Sequence, residues 1–108
     1  MENFEQRWLD TEMMLKERFD KVPDMEGILF LIGVNELGSL PRKKFSKEQK
    51  QDLMHIAVCT LLCQLGYYEF AGRDDEGWPH FHELAHLAVK GINEQERMLK
   101  ECIIRYFE

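Results

Sequence analysis

Leu53 to Leu65 reads LMHIAVCTLLCQL, and only His55, Thr60 and Gln64 in it are polar. The run is longer than the ~4–8 residues of a buried strand, so it predicts a helix. A helix apolar on nearly every side must be covered on several sides, which makes this the expected centre of the core. Its start is marked by Ser46, an N-cap residue, with Gln49 three positions on completing a capping-box pattern. Its stop is Gly66. The helix is therefore predicted from Lys47 to about Leu65.

Toward the N-terminus, Ile28 to Val34 reads ILFLIGV. So short an apolar run fits a buried strand as well as a helix. Met25, Glu26, Glu36 and Leu37 carry it past strand length, so the reading is a helix over 25–37, with Asp24 as cap and Gly38 as stop. A first helix is predicted from roughly Asn3 to Phe19. Phe4, Trp8, Leu15, Phe19 and Val22 share one stripe at 100° per residue, and Glu5, Glu12 and Glu17 lie off it. Pro23 separates the two helices.

Toward the C-terminus, Tyr67, Tyr68 and Phe70, then Trp78 and Phe81, favour strand. Asp74-Asp75-Glu76-Gly77 between them is turn chemistry, so a β-hairpin is expected at about 67–84. Pro79 makes its second arm an edge. Gly91 and Asn93 mark a break, and Asn93 is the candidate cap of a last helix from Glu94 to about Phe107. Leu99, Cys102, Ile103, Tyr106 and Phe107 form its inner face, with Glu96–Lys100 and Glu101–Arg105 as outer i, i+4 pairs. The expected architecture is mainly α: about four helices packed around the third, with one hairpin before the C-terminal helix, in a single domain over 1–108.

Lys and Arg number 14 against 20 Asp and Glu, for a net charge of −6. An acidic balance argues against nucleic acid, whose phosphates call for a basic surface. The N-terminus, MENFEQRWLD, lacks the basic and apolar regions of a signal peptide. The longest apolar run falls far short of the ~20 residues of a membrane span. The expectation is a soluble cytoplasmic protein with no membrane partner. Three cysteines, Cys59, Cys63 and Cys102, are an odd number that suits reduced thiols.

The blocks ILFLIGVNELG, KFSKEQKQDLMHIAVC, GYYEF, DEGWPHF and CIIRYFE resemble a family of small uncharacterised bacterial proteins, chiefly of Bacteroidota. The resemblance runs from about Val22 onward. It implies one short cytoplasmic domain and supplies no catalytic residue. The hairpin block around Trp78 and Pro79 is typical of that family; a histidine pair after it is not.

That pair belongs to His82-Glu83-Leu84-Ala85-His86, which matches H-E-x-x-H. On a helix the two histidines face one way and can share a Zn²⁺, and Glu83 can activate the metal-bound water. His80 adds a nearby imidazole, and Glu94, Glu96 or Glu101 could complete the ligand set. Against this, the longer metzincin pattern fails after His86. The motif also overlaps the second hairpin arm, and in a strand the histidines are no helical pair. The accidental match outweighs the zinc site.

Three weaker constellations remain. His55, Cys59 and Cys63 lie on one helical stripe that could bind zinc with Cys102, but a core stripe with a hydrogen-bonded His55 is the favoured reading. Arg42, Lys43, Lys44, Lys47 and Lys50 form a basic cluster that could meet an acidic partner and reads first as a solvated loop and helix start. Tyr67, Tyr68, Phe70, Trp78 and Phe81 could line a binding face, but most are expected to seal the hairpin onto the helices. The functional expectation is a small non-enzymatic interaction or structural protein with a protein partner or self-association, and no cofactor. The alternative is a minimal zinc hydrolase using His82, His86 and Glu83.

Overall fold

The computed structural model describes residues 3–38, 44–86 and 92–108. Among them the elements follow as α1 (Phe4–Phe19), α2 (Met25–Leu37), α3 (Lys47–Cys63), β1 (Tyr68–Arg73), β2 (Pro79–Glu83) and α4 (Ile92–Phe107). The fold is mainly α, with one antiparallel hairpin before the C-terminal helix, as the sequence predicts. By compactness the elements divide into two units, one holding α1 and α4, the other α2, α3 and the hairpin. No described helix is long and apolar enough to cross a membrane.

The larger unit is built on α3. Ser46 caps it through the predicted box: its hydroxyl accepts from the Gln49 N–H at 3.1 Å, and the Gln49 side chain accepts from the Ser46 N–H at 2.9 Å. At the other end Tyr67 N–H donates to Leu62 O and Gly66 N–H to Cys63 O, both at 3.2 Å. This is a Schellman close, and it needs a residue at positive φ, which Gly66 supplies at +81°. Leu53, Ala57 and Leu61 are fully buried along the helix.

α2 crosses α3 at close range. A Cβ added to Gly33 would stand 2.7 Å from the Leu53 carbonyl carbon and 2.9 Å from its Cβ, and closer still to the carbonyl oxygen. Only a residue without a side chain lets the two backbones approach so far. The crossing brings Leu37, Leu53 and Ile56 into one buried cluster, on which Phe30, Val34, Phe45, Trp78 and Phe81 pack. Phe30 and Phe45 meet edge to face, centroids 5.9 Å apart.

The hairpin pairs Tyr68 with Glu83, Glu69 with His82 and Phe70 with Phe81, then shifts register before Gly72 and His80. Leu84 N–H to Tyr67 O, at 2.8 Å, extends the pairing to the expected 67–84 limits. Arg73 ties the hairpin to α2. Its guanidinium donates to Glu36 O at 2.7 Å and to Gly77 O at 2.9 Å. The last turn of α2 holds no basic residue, so Arg73 brings the positive charge that the helix C-terminus favours.

In the smaller unit Asn3 caps α1, its side chain accepting from Gln6 N–H at 2.8 Å. Arg7 of α1 bridges Glu101 of α4 and Glu108 just past its end, each at 3.1 Å. Arg97 lies 4.7 Å from the Phe4 ring centroid and Lys100 5.1 Å from that of Trp8. The paired positions advance together, so α1 and α4 run in the same sense. Leu15, Cys102, Ile103 and Ile104 are buried.

Several local expectations change. Phe19 and Val22 are exposed, at 45% and 43%. Asp20, at φ +67°, ends α1 directly after Phe19, so the helical stripe does not continue to Val22. α4 begins at Ile92, which puts Asn93 inside the helix rather than at its cap. Glu96 does pair with Lys100, at 3.2 Å, but Glu101 is engaged by Arg7 of α1.

Gly33→Ala is expected to destabilise the protein by about 1–3 kcal/mol in urea denaturation, by overpacking the crossing. Intrinsic helix propensity alone favours Ala there by up to ~1 kcal/mol, so the sign separates the two effects. Leu61→Ala is expected to cost ~2–5 kcal/mol.

Candidate functional site

The hairpin turn is organised by one carboxylate. Asp74 Oδ1 accepts from the N–H groups of Glu76 at 2.9 Å and Trp78 at 3.0 Å. Its backbone closes the same turn, with Asp74 N–H to Trp78 O at 3.0 Å and Gly77 N–H to Asp74 O at 2.9 Å. Oδ2 stands 2.9 Å from His80 Nε2. The His80 hydrogen bond, followed by the backbone donors, holds the Asp74 carboxyl below its ordinary range. Both oxygens of Asp74 are thus engaged, and one nitrogen of His80 is held.

This turn faces the first half of α3 across a cleft of about 430 Å³. From α3 come Gln49, Asp52, His55 and Ile56, which fall on one side of the helix at near three- and four-residue spacing. From the hairpin come Asp74, Glu76, Trp78, Pro79 and His80. Trp78 and Ile56 belong to the packed core, so one wall of the cleft is apolar and anchored. Three acidic residues, two histidines and Gln49 line the rest, and neither Lys nor Arg is among the lining residues. The arrangement can bind a polar group against an aromatic surface. No hydroxyl or thiol is placed there as a nucleophile.

The H-E-x-x-H motif is not helical. His82 and Glu83 end β2, where successive side chains point to opposite faces. His82 pairs across the sheet with Glu69, and Glu83 with Tyr68. His86 follows the strand, 98% exposed at its side chain, with Nδ1 2.9 Å from Glu83 Oε1. The residue that a zinc hydrolase would use as its base is here the partner of one of the presumed ligands. Of the candidate third ligands, Glu96 is paired with Lys100 and Glu101 with Arg7, while Glu94 is exposed in the first turn of α4. Among the described residues no three His, Cys, Asp or Glu side chains stand so as to hold a metal ion.

The cysteine stripe is partly a core stripe. Cys59 is buried and Cys63 half-buried, while His55 is exposed, with Nε2 3.5 Å from Cys59 Sγ. Burial pushes the Cys59 thiol up to about 11 and raises Cys63 and Cys102 as well. None of the three cysteines is in a disulfide. Of the basic cluster, Lys44, Lys47 and Lys50 are exposed, and Arg42 and Lys43 lie outside the described residues. Of the hairpin aromatics, Trp78 and Phe81 join the core, Tyr67 and Tyr68 are half-buried, and Phe70 stays 56% exposed with its ring edge to face with Phe81.

From sequence, His55 reads as a core residue and Asp74 and Glu76 as turn formers; the fold brings them to one cleft. Asp74-x-Glu76 followed by Trp78 and His80 was the available signal. Comparison with protein-family models, with curated proteins and with solved structures finds no match to this chain.

Two measurements follow from this geometry. Cys59 and Cys102 are expected to react slowly with a thiol reagent until denaturant is added, because a buried protonated thiol is a poor nucleophile; rapid native labelling of both contradicts their burial. Asp74→Ala is expected to speed amide exchange at Glu76 and Trp78. Since the folded pKa of Asp74 is lowered, its contribution to the turn holds above the unfolded value near ~3.9 and is lost as pH falls through the folded value. Acidification from pH 7 to 5 should leave the protection factors of these amides, corrected for the intrinsic pH dependence of exchange, unchanged through Asp74.

Proposed function

We propose that this chain is a small non-enzymatic interaction protein and that the cleft between α3 and the hairpin turn is where it binds. The observation that carries this reading is the make-up of the cleft. An apolar wall of Ile56, Trp78 and Pro79 lies beside convergent polar groups, with no hydroxyl or thiol among the lining residues. Sites of this kind are built for recognition. Asp74 and His80 form an oriented acid–base pair among the lining residues, and Asp74 holds the turn.

The partner is a protein or a small molecule rather than nucleic acid, in keeping with the net charge of −6. We place the protein in a reducing, cytoplasmic compartment, where its three cysteines, none in a disulfide, stay reduced. The family resemblance supports the same reading, since it brings no catalytic residue. The zinc-hydrolase alternative has the sequence motif in its favour but needs His82 and His86 on one helical face, and His82 lies in β2.

The test uses full-length protein purified without a metal-affinity tag, elemental analysis for zinc, and a fluorogenic casein assay on wild type and Glu83→Gln. The expected result is no hydrolysis that depends on Glu83, and a stability change within ~0.5 kcal/mol, as for an ordinary surface substitution. Stoichiometric zinc, with hydrolysis abolished in Glu83→Gln, would overturn the reading.

A further inference from the structure

We infer that the cleft takes a cationic group, an ammonium or guanidinium carried on an apolar stem; this rests on the reading of the cleft as the binding site. The carboxylates of the cleft differ in what they already hold. Asp74 spends both oxygens on the turn and on His80. Asp52 and Glu76 do not: among the described residues neither side chain forms an ion pair or hydrogen bond. They come from different elements, Asp52 from α3 and Glu76 from the turn, and both line the same cleft. Two uncompensated like charges beside one cavity repel each other, and a cation between them removes that repulsion. An anion would add to it.

The aromatic wall points the same way. The chain has two tryptophans. Trp8 carries the ammonium of Lys100 against its ring. No Lys or Arg of the described residues lies over Trp78, and Trp78 lines the same cleft as Asp52 and Glu76. An indole face with carboxylates near it is the surroundings in which a cation gains most from an aromatic ring. Ile56 and Pro79 supply apolar surface for a stem. A volume of about 430 Å³ holds one long side chain or a small amine. The cation can be a free amine or the Lys or Arg side chain of a partner protein; the chemistry of recognition is the same.

The experiment uses the full chain with Trp8→Phe, so that Trp78 reports alone. Its fluorescence is titrated with n-butylguanidinium, with n-butylurea as the neutral probe of the same shape, and with the blocked peptide Gly-Arg-Gly. The expected result is a saturable change with n-butylguanidinium and none with n-butylurea, weakened by added salt. Asp52→Asn with Glu76→Gln should weaken binding about three- to ten-fold. The charge-conserving pair Asp52→Glu with Glu76→Asp should retain it, which separates lost charge from lost fold. Tighter binding of the peptide identifies a partner side chain, and equal binding a free amine; both support the cationic site. Equal binding of n-butylurea, or no saturable change with any probe, overturns it. The zinc and casein measurements are independent of these titrations, so failure here leaves the non-enzymatic reading to be decided by them.

Discussion

The contact of α2 with α3 at Gly33 and Leu53 is the constraint on which the larger unit depends. A backbone-to-backbone approach leaves no room for a side chain at 33, so the helices meet only if that residue is glycine. Once they meet, Leu37, Leu53 and Ile56 share one buried cluster, and Trp78 and Phe81 of the hairpin have a surface to pack on. A two-stranded hairpin has little stability alone in water. Here it gains an apolar base from Trp78 and Phe81 and a polar tie from Arg73 to the end of α2. The cleft exists because the turn, so anchored, is held opposite the first half of α3.

The polar chemistry of the hairpin is consistent with that role. Asp74 satisfies two backbone donors and pairs with His80, so this carboxylate of the cleft is structural. What remains for a ligand is Asp52, Glu76 and the indole of Trp78. The pattern is a frame with a few open groups at its rim, and the proposed recognition role rests on it.

Much of the fold was legible in the sequence, because its signals are local. Ser46 with Gln49 set the start of α3, and the apolar stretch from Leu53 set its place in the core. Asp74 to Gly77 set the turn, and the flanking aromatics set the two arms. Gly33 was not legible: a glycine inside ILFLIGV has no side chain to mark a face, and only the partner helix gives it meaning. Phe19 and Val22 followed the helical period on paper, yet the chain leaves the helix at Asp20. The cleft was not legible either, since Asp52 and His55 are separated from Asp74, Glu76 and Trp78 by the whole of β1 and most of α3. The H-E-x-x-H string was the opposite case. It was conspicuous in the sequence, but its meaning depends on a helix, and strand pairing with Tyr68 and Glu69 extends through Glu83.

The central claim is that α2 and α3 touch through their backbones at Gly33. The most direct measurement is the set of proton–proton nuclear Overhauser effects of the Gly33 α protons in the full-length protein in solution. The account predicts strong effects from these protons to the Leu53 α and β protons, because the two residues stand within contact distance. Gly33 α protons that show effects only to their own helix, with none to Leu53, would contradict it.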